Sequence, residues 1–290
     1  MDYIKVIDDF SRYKGKYFDE SWYTNVIESN SDGYYIDNDG CKKVLFKFRK
    51  NKISQNLQNL AIDCFLKESK KKHSNRGIAG GLLPGNKNVR TITKTGQNEG
   101  QYISSNIFGY YDRSLREHRG LFESQVVCRK TAFLVNNENK WKGSLPFLQR
   151  CSKEYCKLAK KEWNIQKKEY LRIHKNLRIP ETVFTTVTSN YNWRTACHKD
   201  TGDFSKGLGN LIVTGNNFDG GYLGFPQFKV LIKIKPGDFL LMDVHQWHCN
   251  TKLKIHHSGF RLSFVMYIRE DMSKCQDKSK EIPEYYIPPI

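Results

Sequence analysis

His198 and Asp200 form a His-x-Asp pair at the end of Asn190-Tyr-Asn-Trp-Arg-Thr-Ala-Cys-His-Lys-Asp200. Alternate residues of an extended strand project to the same face, so this imidazole and carboxylate point into one cavity. A His-x-Asp alone is common and carries little weight. Two later residues add to it. His248 lies fifty positions on, in Gly237-Asp-Phe-Leu-Leu-Met-Asp-Val-His-Gln-Trp-His-Cys-Asn250, and Arg261 thirteen beyond, in Gly259-Phe-Arg-Leu-Ser-Phe-Val-Met-Tyr267. Two imidazoles and a carboxylate on one face of a metal leave three positions open, the arrangement of non-haem Fe(II) oxygenases. Such a site has room for a 2-oxoacid bound through two oxygens and for O2; a fourth protein ligand would close it. His245 rivals His248 as the third ligand. In an extended strand His245, Trp247 and Cys249 share one face, and Gln246 and His248 the other. His248 is preferred because the strand from Gly237 to Met242 should end before the ligand, leaving Trp247 to Asn250 at a rim.

Arg261 opens a strand that is otherwise apolar or small. A guanidinium buried there is costly unless paired. The far carboxylate of 2-oxoglutarate is a natural bidentate partner, and a protein carboxylate such as Asp243 is the alternative. Ser263 faces the same way and can add a hydrogen bond.

These residues lie in a strand-rich half. Thr182 to Thr188 is β-branched. Gly209 to Thr214, Phe228 to Lys235, Phe239 to Val244 and Phe260 to Ile268 read as further strands, with turns at Gly215-Asn216-Asn217 and Pro236-Gly237-Asp238. Short strands with turns between them predict an antiparallel sandwich or barrel. Earlier, Lys43 to Arg49 reads as a strand. Ser54 to Leu66 reads as a helix with Ser54 as N-cap, and Ser152 to Lys175 as one long helix with Ser152 as N-cap. The apolar stripe of that helix (Tyr155, Leu158, Ala159, Trp163, Tyr170, Ile173) reads as core packing. Its basic face is either a solvated surface or a phosphate-contacting ridge. Residues 86–120, with Arg113, Arg116, His118 and Arg119, read as long loops with one or two strands. Asn75-Arg-Gly-Ile-Ala-Gly-Gly-Leu-Leu-Pro-Gly85 is Gly-rich but lacks the Gly-Lys-Ser/Thr ending of a phosphate-binding loop.

The 290 residues suffice for one large domain or one domain with an extension, and 38% hydrophobic with 13% aromatic content allows a sizeable core. No apolar run is long enough for a transmembrane helix. The first ten residues lack the form of a signal peptide, so an intracellular protein is expected. The eight cysteines include no C-x-x-C pair and read as reduced thiols and small core residues. Cys197 and Cys249 adjoin proposed ligands and should point away from the metal. The formal charge of +18 favours polyanions, nucleic acid above all, although richness in Lys and Asn also arises from AT-rich genomes.

Arg194-Thr-Ala-Cys-His-Lys-Asp-Thr-Gly-Asp-Phe204, then Gly-Leu-Gly-Asn-Leu, Gly-Gly-Tyr-Leu-Gly-Phe-Pro226 and the two later stretches quoted above resemble the TET/JBP oxygenase family. The resemblance is closest to its J-binding-protein branch, whose members hydroxylate the methyl group of thymine in DNA; TET members oxidise 5-methylcytosine. It is strong over about 180–270, and the Asn75-Arg-Gly-Ile-Ala-Gly segment also looks like a family motif. It implies an α+β chain with a double-stranded β-helix (jelly-roll) core and N-terminal helices packed on it. The expected division is an extension over 1–70, the dioxygenase domain over 71–270 and a polar tail over 271–290. His198, Asp200 and His248 would hold Fe(II); Arg261 and Ser263 would hold 2-oxoglutarate. Oxidative decarboxylation to succinate and CO2, with O2 as the other cosubstrate, would drive hydroxylation of a base methyl group, the base being flipped out of duplex DNA.

Asn190, Asn192 and Arg194 are candidates for holding that base, against purely structural hydrogen bonding. Tyr191 or Trp193 could stack on it, although core packing suits them better. Arg76 and the basic helix are candidate phosphate contacts. A DNA substrate would make the protein nuclear or otherwise DNA-associated; no obligate protein partner is evident. Competing readings keep the iron chemistry but act on RNA, a nucleotide or a protein, or make the chain a catalytically silent nucleic-acid-binding module.

Overall fold

The computed structural model describes residues 10–73, 76–81, 103–114 and 126–275. The expectations for residue 75 and for Arg116, His118 and Arg119 fall outside them, and Arg113 is described only as backbone. Among the described residues twelve strands form two sheets. β1 (Asn25–Ile27), β2 (Ser31–Ile36) and β3 (Lys42–Arg49) come first, then helix α1 (Gln55–Ser69). β4 (Ser105–Ser114) and β5 (Val126–Lys130) precede helices α2 (Ala132–Asn136), α3 (Glu138–Leu158) and α4 (Lys160–Arg172). The remaining strands are β6 (Thr186–Tyr191), β7 (Gly209–Gly220), β8 (Leu223–Phe225), β9 (Val230–Ile232), β10 (Phe239–Met242), β11 (Cys249–Asn250) and β12 (Leu253–Tyr267).

The larger sheet runs β2-β3-β10-β7-β12-β6-β4-β5 and the smaller one β1-β9-β8-β11. All pairings are antiparallel except β1 with β9. Strand alternation sorts the side chains. Leu262, Phe264 and Met266 of β12 join Ile212 of β7 and Phe65, Phe147 and Tyr155 of the helices in one core. Leu211, Val213, Leu240 and Met242 meet Phe225, Val230 and Ile232 between the sheets. The result is a jelly-roll core with helices covering the outer face of its larger sheet. The opposite face of β12 is left to Arg261, Ser263 and Tyr267, all buried.

Several local expectations change. The predicted single helix over 152–175 is two helices, broken at Ala159 (φ −142°, ψ 62°), and Ser152 lies buried inside α3 rather than capping it. Eleven residues of straight helix would span about 16 Å. The Tyr155 hydroxyl nevertheless donates to Gln166 Oε1 at 3.2 Å, a contact that requires the break. Ser54 does precede α1, but its side chain makes no capping hydrogen bond. The expected turn at Gly215-Asn216-Asn217 lies within β7; its positive φ angles accommodate a register shift opposite residues 255–260 of β12. Thr182 to Thr185 precede β6, with the Thr182 hydroxyl closing a turn onto the Ile179 carbonyl.

The segment read as an N-terminal extension supplies β1, β2, β3 and α1, and so builds parts of both sheets. Two of the eight cysteines are not reduced: Cys128 of β5 is disulfide-bonded to Cys275 in a 3-10 helix over Glu270–Cys275. The two lie 147 residues apart, and neither has a sequence context that marks its partner. Reduction of this bond will lower stability by about 2–4 kcal/mol, measured as the urea midpoint with and without reductant; coincident curves would exclude the crosslink as a contributor.

Candidate metal and cosubstrate site

His198 and His248 exchange both backbone hydrogen bonds as an isolated antiparallel bridge, at 3.1 and 3.0 Å. The Asp200 amide donates to the Val244 carbonyl at 3.0 Å. β10 ends at Met242, so the segment carrying His248 leaves the larger sheet before the ligand. Each imidazole is oriented the same way, with Nδ1 on the carbonyl two residues earlier: His198 on Ala196 at 2.7 Å and His248 on Gln246 at 2.9 Å. An N–H donated there leaves the lone pair on Nε2 for a metal. Both Nε2 atoms face Asp200, at 3.5 Å from Oδ1 and Oδ2 respectively, and one donor atom from each residue fits within 4.8 Å of the others. This is a His-Asp-His cluster that can hold a metal ion. His245 stays outside it: its Nε2 is 3.4 Å from the Phe204 carbonyl, and its amide donates to Asp243.

Burial favours the neutral forms, but the mutual attraction of the cluster wins. Despite desolvation, Asp200 is held well below the usual carboxylate range by His198 and His248, and Asp200 in turn raises His198 above 6.5. Metal binding must displace that proton. Co(II) affinity, read from its visible absorbance, will therefore weaken as pH falls toward and through the ordinary imidazole range; affinity independent of pH there would contradict the assignment of His198 as a ligand.

Arg261 is 1% exposed. Its Nη1 donates to Ser263 Oγ at 3.2 Å, while Nε and Nη2 are buried with no hydrogen-bond partner among the described residues. Asp243, the alternative partner, is instead engaged by the Tyr35 hydroxyl, the Gln246 amide and the His245 backbone. Burial without a counter-charge pulls the guanidinium down to about 10. Gly221 makes room for it: a Cβ there would meet Arg261 Nε at 2.9 Å, and its φ of +64° independently favours glycine. The Gly221 carbonyl accepts from Asn250 Nδ2 at 3.2 Å, and Asn250 Oδ1 accepts from the Thr195 hydroxyl at 2.7 Å. Asn250 therefore links the strand carrying His248 to the Arg261 pocket, a role its place two residues after His248 could have suggested.

The structure gives the expected base-holding residues different surroundings. Asn190 is opposite Ser263 in the β6–β12 ladder and accepts from the Ser105 hydroxyl at 2.5 Å. Asn192, in a left-handed conformation (φ 48°), caps Arg261: its Oδ1 accepts from the Arg261 amide at 2.7 Å. Arg194 donates to the Asn250 and Phe18 carbonyls and to Asp19, and stacks over Tyr17. Trp193 is buried, and Tyr191 stacks on Phe260.

Arg76, a candidate phosphate contact, sits among Asp200, Asp203, Tyr267 and Arg269, and its Nε is buried without a partner among the described residues. Asp203 and Tyr267 escaped the sequence reading. Burial and then the Asp200 charge hold the Asp203 carboxyl well above its usual range. Tyr267 is hydrogen-bonded to Thr188 at 3.0 Å. The available signals were the three-residue step from Asp200 to Asp203 and the shared face of residues 261, 263 and 267.

The model for the oxygenase domain of the 2OGFeDO superfamily, Tet_JBP, matches residues 109–270. The chain belongs to the Tet/JBP oxygenase family. It is 33% identical over 189 residues to thymine dioxygenase JBP1 of Crithidia fasciculata, covering 64% of this chain and 22% of that protein. It is 36% identical over 195 residues to the bifunctional helicase and thymine dioxygenase JBP2 of Leishmania tarentolae, covering 66% and 16%. The chain thus matches about a fifth of the length of these relatives. NgTET1, solved in complex with 5mC DNA, superposes with a TM-score of 0.54 at 14% identity, covering 87% of this chain and 85% of that one, and so shares the fold.

Proposed function

We propose that the chain is an Fe(II)/2-oxoglutarate-dependent dioxygenase that hydroxylates the 5-methyl group of a pyrimidine base in DNA, with thymine the favoured base. The observation that carries this reading is the pairing of an open three-ligand cluster with a buried guanidinium whose Nε and Nη2 have no partner among the described residues and call for an anion. His198, Asp200 and His248 would hold Fe(II), a donor set that suits it. When bound, the metal supplies the redox chemistry by which O2 and 2-oxoglutarate together hydroxylate an unactivated C–H bond.

The protein's own part is positional. Arg261 and Ser263 would take the distal carboxylate of 2-oxoglutarate, in a pocket from which the burial of both excludes water. Asn192 sets the Arg261 backbone from one side and Gly221 the side chain from the other. Asn190, tied to Ser105 and only half-buried, is the candidate retained for contact with the base. Asn192 and Arg194 act as internal braces in this reading, and Arg76 would face the metal site instead of phosphates. The charge of +18 suits a DNA substrate, and the names of the relatives favour thymine. Such a substrate places the protein wherever the cell keeps its DNA.

Nucleoside mass spectrometry tests this. Duplex DNA with and without 5-methylcytosine is incubated with protein, Fe(II), ascorbate and 2-oxoglutarate, beside a His198→Ala control. 5-Hydroxymethyluracil is expected from wild type alone. 5-Hydroxymethylcytosine without it would move the substrate to 5-methylcytosine. Succinate with neither base product would refute the DNA assignment, and no succinate at all would refute the cosubstrate assignment.

A further inference from the structure

Cys197 immediately precedes His198, and Cys249 immediately follows His248. Because the two histidines exchange both backbone hydrogen bonds, the flanking cysteines fall at an adjacent non-hydrogen-bonded position of the same ladder. There Cα atoms approach to about 4.5 Å and side chains lie closest, within the range a disulfide spans. Both cysteines are free and fully buried, and they face away from the imidazoles. Both lie in one buried cluster. Cys249 Sγ also lies 3.4 Å from the Tyr23 hydroxyl.

The surrounding pocket is apolar, made by Phe10, Phe18, Tyr23 and Leu231. The N-terminal segment closes it from outside: the Gly15 amide donates to the Cys197 carbonyl, and the Cys197 amide to the Lys16 carbonyl, each at 2.8 Å.

We infer that Cys197 and Cys249 are a redox modification site, oxidised by a peroxide to a cross-strand disulfide that couples directly to the metal-binding histidines. The reaction balances in two steps. The Cys249 sulfur attacks one peroxide oxygen and the O–O bond breaks, giving a sulfenic acid and, from hydrogen peroxide, water. The Cys197 sulfur then attacks the sulfenic sulfur. The S–O bond breaks, and hydroxide leaves with the Cys197 proton as a second water. Two thiols lose two electrons, and the peroxide gains them.

Hydrogen peroxide is small enough to reach a buried thiol during local opening, and the second step is intramolecular between neighbours. The covalent S–S distance of about 2.05 Å is much shorter than any contact between two free thiols. Closing to it resets the side-chain torsions of the residues next to both ligands and pulls on the ladder there, whereas metal sites tolerate only about 0.2 Å in their donor distances. The site is independent of which base, or whether any base, is the substrate.

The test uses the full metal-free chain. Protein is treated with hydrogen peroxide, then denatured, alkylated and digested without reductant for peptide mapping. The expected product is a peptide pair linked through Cys197 and Cys249, short by two hydrogen atoms and released by dithiothreitol. The oxidised protein should bind Co(II) about tenfold more weakly than the reduced protein, the scale of disturbances just outside a metal's ligands. Peroxide should leave the Co(II) affinity of Cys249→Ala unchanged. Free, alkylatable Cys197 and Cys249 after the exposed Cys41 has been oxidised would overturn the inference, as would sulfinic acids without linkage. A linked peptide with unaltered Co(II) affinity would overturn the coupling to the histidines. The mapping of wild type decides the linkage even if the variant does not fold.

Discussion

Arg261→Met will make the metal-free protein more stable while abolishing its response to 2-oxoglutarate. The two effects have one cause. In wild type the guanidinium is buried with two nitrogen atoms unsatisfied, and each such group costs about 1–3 kcal/mol. Methionine fills a similar volume without a charge, as in replacements of buried ionic groups that gain about 1–4 kcal/mol. The loss is confined to the bond to Ser263 Oγ. Conversely, 2-oxoglutarate at a hundredfold excess over its Kd stabilises a binding-competent protein by about 2.7 kcal/mol, and the variant should show none of this. Thermal unfolding of both proteins with and without 2-oxoglutarate gives the answer in four curves. A variant melting below metal-free wild type would mean that the guanidinium has an internal role, and a variant that still shifts with 2-oxoglutarate would move the cosubstrate elsewhere.

Asp200→Ala will eliminate Co(II) binding and reduce turnover at least about a thousandfold, equivalent to about 4 kcal/mol. The carboxylate faces both Nε2 atoms, so its removal leaves two imidazoles without the charge that draws a dication. His245→Ala is the matched control and should leave Co(II) binding intact, because His245 is turned toward Phe204. Loss of binding in the control with retention in Asp200→Ala would invert the ligand set.

The geometry of the candidate site was legible where it depends on short spacing. His198 and Asp200 are two residues apart, and Arg261 is conspicuous as a charge among apolar strand residues. The alternation of β12 also separated its core-facing side from its site-facing side. What could not be read depends on partners distant in the chain. Arg194 looked available for a substrate, but Phe18, Asp19 and Asn250 engage its Nε and Nη2. Asn192 looked equally available, yet it holds the Arg261 backbone. Arg76 looked like a surface cation, whereas the fold sets it beside Asp200 and Asp203. The break at Ala159 has no glycine or proline to announce it, and it is what lets Tyr155 and Gln166 meet.

The order of strands in the sheets bears on how much of the chain forms an independent folding unit. The family match starts at residue 109, yet β3 pairs with β10, and β1 with β9. A fragment trimmed to the matched span would strip both partners away. It would bare the backbone of two largely apolar strands along new sheet edges, the kind of surface that recruits other chains into aggregates. Recombinant expression of this chain should therefore retain the segment from before residue 25, and a shorter product recovered in inclusion bodies would say nothing about its chemistry.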